Sequence, residues 1–128
     1  MYYYGYPRCV YYSESVDLVL RLSSGLSKLG LSPGEVVVVV SGNTAHYWLL
    51  VMAVWLCGGC VSPACPAIWW QELQRQVEDS GAAVVVCDET NIGTVGRIRR
   101  SCGRLRQETM AGRMAETMAR AMAMAMPL

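Results

Sequence analysis

Between residues 14 and 29, Leu18, Leu22, Leu26 and Leu29 recur at the spacing that lines one face of a helix, and Val19 widens the stripe. Ser13 is the expected N-cap, while Gly30 and the Pro33-Gly34 pair stop the helix and turn the chain. The next stretch, "EVVVVVS" at 35–41, does not alternate. Five consecutive valines predict a strand buried on both faces, as in a parallel sheet covered by helices. Gly42 turns the chain, and Asn43 or Thr44 is expected to cap a second helix running to about Cys57. Gly58-Gly59 ends it, and "CVS" before Pro63 reads as a short strand. A third helix is expected from about Trp69 to Ser80, with Leu73, Val77 and Trp69 or Trp70 inward and Gly81 at its C-terminus. "AAVVVCD" at 82–88 is another continuous apolar strand. Helices alternating with buried strands through short turns predict right-handed crossover units of a parallel α/β sheet.

The pattern weakens after Asp88. Ile92, Val95, Ile98, Cys102 and Leu105 fall on one face of a fourth helical segment, but Gly93, Gly96 and Gly103 oppose it. "ETMAGRMA" at 108–115 and "ETMARAMA" at 116–123 then match at six of eight positions. Met110, Met114, Met118, Met122 and Met126 stand four apart. This reads as a low-complexity tail, helical only in part, ahead of a Met-rich binding face.

Composition sharpens that division. At 128 residues, 53% hydrophobic and 16% charged, the chain has room for one compact domain and is too apolar for global disorder. The net charge of +1 points to no polyanionic partner. Yet residues 1–90 hold four Lys/Arg against eight Asp/Glu, whereas residues 91–128 hold seven Arg against two Glu. A boundary near residue 90 is therefore expected. The longest apolar run, at 47–61, covers fifteen residues and falls short of the roughly 18 a membrane span needs. The start "MYYYGYPRCVYYSES" lacks the plan of a secretory signal, and no peroxisomal signal ends the chain. Six cysteines without a secretory signal suggest free thiols in a reducing compartment, the cytoplasm.

Candidate chemistry is thin. Cys57-x-x-Cys60, followed by Cys65, has the spacing of a zinc knuckle or redox pair, and His46 could add a ligand. Cys57 and Cys60 straddle a helix stop, however, and no second C-x-x-C pair completes the signature. His46, the sole histidine, sits in the first turn of the second helix, where a polar residue is more common than a catalytic base. Gly25 and Gly30 have the separation of the Walker glycines, but Leu31 and Ser32 follow where Lys and Ser/Thr are required, and Lys28 is the only lysine. The run "RIRRSCGRLR" from Arg97 to Arg106 has no aromatic residue interleaved and reads as a solvated face, so no nucleic-acid partner is expected.

Residues 10–88 resemble, without a gap, the start of the adenylate-forming (AMP-binding) superfamily of acyl-CoA synthetases, 4-coumarate–CoA ligases and beetle luciferases. "VYYSESV" is similar to a Thr-Tyr-x-Glu-Leu opening, matching at Tyr12 and Glu14 and departing at Tyr11 and Ser15. "GLSKLGLSPGEVVVVV" resembles Gly-Leu-x-x-Leu-Gly-Leu-x-x-Gly-Asp-x-Val. "GNTAHYWLLVMAVWLCGGCVSPACP" resembles the Pro-Asn-Ser-x-Glu-Phe helix with its Ala-Gly-Gly-x-x-x-Pro ending, and "ELQRQVEDSGAAVVVCD" the Glu-Leu-x-x-Gln-Leu-x-Asp-Ser-Gly-Ala stretch. The resemblance implies the opening βα units of a large N-terminal domain over residues 1–90, a partial parallel sheet flanked by helices, with a divergent basic, Met/Ala-rich tail over 91–128.

It also implies that Cys57, Cys60 and Cys65 stand where relatives carry small, apolar or amide side chains, so the stretch is a structural turn. The family activates a carboxylic acid with ATP and Mg²⁺ to an acyl-adenylate and then usually passes it to coenzyme A. Its Thr-Gly-x-Pro-Lys-Gly phosphate loop is not found in these 128 residues. No residue is carried over as catalytic, cofactor-binding or metal-ligating, and no cofactor is expected for this chain. The expectation is a truncated acyl- or aryl-CoA synthetase, inactive alone. The alternative is an interaction module docking on a full-length relative or another protein through its sheet edge and Met-rich helix. An uncovered sheet edge also invites self-association.

Overall fold

The computed structural model describes residues 10–43 and 45–101. Its centre is β1 (Val36–Val40), in which Val37 to Val40 are fully buried. Strand β2 (Cys60–Ala64) pairs with one side of β1 from Val36↔Cys60 to Val40↔Ala64. Strand β3 (Val84–Cys87) pairs with the other, from Val37↔Val84 to Val40↔Cys87. Both pairings are parallel and the order is β2-β1-β3.

Side chains on a strand alternate between faces, so the valine run supplies two cores at once. Val37 and Val39, with Val84 and Val86, pack under α1 (Tyr12–Lys28) and α2 (Ala45–Leu56). Val38 and Val40, with Val85 and Cys87, pack under α3 (Trp70–Ser80) and α4 (Ile92–Ser101). The chain steps from β1 to β2 in one direction and from β2 to β3 in the other. Keeping both crossovers right-handed requires α2 and α3 to lie on opposite faces. They do.

Several local expectations shift. Helix α1 begins two residues earlier than expected: Tyr11 is the N-cap and Ser13 lies inside the helix. The Glu14 carboxylate accepts the Tyr11 N–H at 3.3 Å, which fixes the start. Gly81 ends α3 in the left-handed region, φ 62°, as the sequence suggested. Trp69 is 73% exposed rather than inward. Trp70 is half-buried and serves as a platform for the Arg97 guanidinium, 4.5 Å from its ring centroid. Strand β2 runs through Pro63, which an edge strand tolerates because one side of it needs no ladder donor.

The fourth helix forms despite its glycines. Val95 and Ile98 are buried beside Leu73 and Val77. Burying two such side chains is worth about 1.5–3 kcal/mol each, against about 1 kcal/mol for each helical glycine. Packing wins. Residues 92–101 thus share the core on the far side of the boundary expected near residue 90; Cys102, Leu105 and the Met-rich repeats lie outside the described residues. Replacing Ile98 with Ala is expected to cost about 2–4 kcal/mol of unfolding free energy, measured by urea denaturation. A loss under about 0.5 kcal/mol, typical of a surface site, would show α4 to be an appendage.

Candidate functional site

In an open parallel sheet, ligands gather beyond the carboxyl ends of the strands, where neighbouring connections leave on opposite faces. That point lies between β1 and β3. Ser41, Gly42 and Asn43 carry the chain from β1 to α2 on one face, while Asp88 to Asn91 carry it from β3 to α4 on the other.

Asp88 holds the two loops together. It is the N-cap of a 3₁₀ turn, Glu89–Asn91. Its Oδ1 accepts from Thr90 Oγ1 at 2.7 Å, Asn91 Nδ2 at 2.8 Å and the Asn91 backbone N–H at 3.2 Å. The backbone N–H of Gly42, from the opposite loop, donates to the same carboxylate. Burial alone would raise the pKa of Asp88, but the bonds from Thr90, Asn91 and Gly42 outweigh it and hold the carboxyl below its ordinary value. Asn91, a buried polar side chain, is satisfied through this cluster. Beside it, burial and then the Asp88 charge push the Cys87 thiol up to about 11, so it stays protonated at neutral pH. His46, in the first turn of α2, is half-buried, and burial lowers its pKa, favouring neutral imidazole. Asp88, Thr90, Asn91 and Gly42 form a structural tie between two loops. None is an activated nucleophile.

Cys57 and Cys60 lie at the other end of the sheet, where β2 begins, whereas Cys65 follows the carboxyl end of β2. Gly58 takes φ 76°, and a Cβ on Gly59 would stand 3.0 Å from Val54 Cγ1 and 3.3 Å from the Glu35 carbonyl oxygen. The glycines are there because backbone and helix approach too closely for a side chain. Cys57 is half-buried, with Sγ 3.2 Å from Ser23 Oγ and donating to the Ser23 carbonyl at 3.3 Å, which fastens the end of α2 to α1. Cys60 and Cys65 are exposed. His46 is separated from Cys57 by the length of α2, roughly 16 Å at the helical rise per residue, so the two cannot share an ion. Among the described residues no group of three His, Cys, Asp or Glu side chains is placed to hold a metal.

Lys28 occupies the last turn of α1, and Gly25 lies within that helix, so no phosphate loop forms between Gly25 and Gly30. Of the basic run, Arg97 stacks on Trp70, and Arg104 and Arg106 lie outside the described residues. No helix among the described residues is long and apolar enough to cross a membrane. Sequence reasoning missed the Asp88 tie. An Asp followed by Thr and Asn at a strand end was its one visible sign, since these residues favour caps and turns.

Two measurements follow. Thiol labelling mapped by peptide mass spectrometry is expected to modify Cys60 and Cys65 rapidly in the folded chain and Cys87 only on unfolding; prompt labelling of Cys87 would contradict the buried, protonated thiol. Because the folded-state pKa of Asp88 is depressed, its contribution to stability is complete above the ordinary value of 3.8 and is lost as pH falls through the lower folded-state value. The stability difference between the native chain and Asp88→Asn should therefore be constant above about pH 5 and shrink in more acid solution. A difference independent of pH would count against the tie.

The sequence model of the family described as AMP-binding enzyme matches residues 3–122. A 4-coumarate–CoA ligase-like 1 protein of Arabidopsis thaliana is 38% identical over 84 residues, 66% of this chain but 16% of the relative. The inhibitor-bound N-terminal domain of FACL13 from Mycobacterium tuberculosis superposes with a TM-score of 0.80 at 21% identity, covering 88% of this chain and 29% of that one. ATP-bound MatB from Rhodopseudomonas palustris gives 0.73 at 23% identity, covering 84% and 22%. At those identities the two structures establish the shared fold. The chain spans only a small part of the length of the curated relative. With a family match over nearly all of its residues and the parallel sheet of such N-terminal domains, this chain belongs to the AMP-binding enzymes of the adenylate-forming superfamily.

Proposed function

We propose that these residues are scaffold from an ATP-dependent acyl- or aryl-CoA ligase and do not activate a carboxylic acid by themselves. The observation behind this reading is the composition of the crevice between β1 and β3. Its one described carboxylate, Asp88, is committed to binding its own loops. The single lysine stands at the far end of the sheet, because α1 runs antiparallel to β1 and finishes near the amino end of that strand. A triphosphate would find no cation at the crevice among the described residues, so the residues present do not fit ATP. In this reading ATP, Mg²⁺ and coenzyme A belong to the whole enzyme, whose phosphate-binding loop lies outside this sequence. The cytoplasm is the proposed location, in keeping with six cysteines, four of which are described and free.

Carboxylate-dependent exchange of pyrophosphate into ATP tests the proposal. With mixed fatty and aromatic acids the purified chain is expected to stay at the no-enzyme background. Exchange clearly above that control would show that a complete adenylating site exists and would overturn the scaffold reading.

A further inference from the structure

We draw no further inference here: the strongest candidate, the apolar outer face of α2 formed by Trp48, Met52, Trp55 and Leu56, carries nothing, because this chain spans 29% of the solved N-terminal domain it superposes on and nothing in the structure shows what covers that face.

Discussion

The whole arrangement depends on burying five successive valines on both sides. A strand with one solvated face needs helices on one side only. Val36 to Val40 demand two layers, and Val37 to Val40 are fully buried. That requirement dictates the rest. Parallel neighbours need long crossovers, the crossovers are helices, and a constant right hand sends α2 and α3 to opposite faces. The reversal in strand order then creates the crevice beyond the carboxyl ends of β1 and β3. Scaffold and candidate site follow from the same stretch of sequence.

At the crevice, hydrogen bonding determines what chemistry is available. A carboxylate beside a thiol resembles a catalytic pair when read as a list of residue types. Geometry removes that reading: Asp88 has its bonds made by Thr90, Asn91 and Gly42, and its charge helps to keep Cys87 protonated. The same negative charge that would assist a general base here suppresses the nearest nucleophile. Membership of an enzyme family and absence of local activation are therefore compatible, because the family's fold extends well beyond the share of it that this chain covers.

Sequence reasoning was reliable where burial is continuous and local. The valine strands, the leucine stripe of α1 and the glycine stop of α3 are each written in a short window. It failed where a distant partner decides. Trp69 or Trp70 was expected inward, but Trp69 is exposed and Trp70, half-buried, packs against Arg97 of another helix. Helix α4 looked weak by propensity, yet Val95 and Ile98 find a pocket made by α3 and β3. The start of α1 slipped because the Glu14 carboxylate, not the Ser13 hydroxyl, completes the terminus. The Asp88 tie joins loops that no single window contains, and the reading of the cysteine stretch as a structural turn rests on the family resemblance rather than on its spacing.

The two helical layers are finished differently. On one face, α3 turns Gln71, Glu72, Arg75, Glu78 and Asp79 to solvent and buries Leu73 and Val77, the division of an independent surface helix. On the other, α2 has no such polar side, although it covers the same central strand from the opposite face. Strand burial cannot account for that difference, since both layers cover equivalent valines. The inner halves of α2 and α3 answer to β1, but the outer half of α2 answers to something beyond the sheet. An apolar outer surface costs solubility and adds nothing to the core, so its explanation must be sought in contact with another surface. The asymmetry between the layers, rather than any single exposed tryptophan, is what makes this face the most informative part of the molecule outside its core.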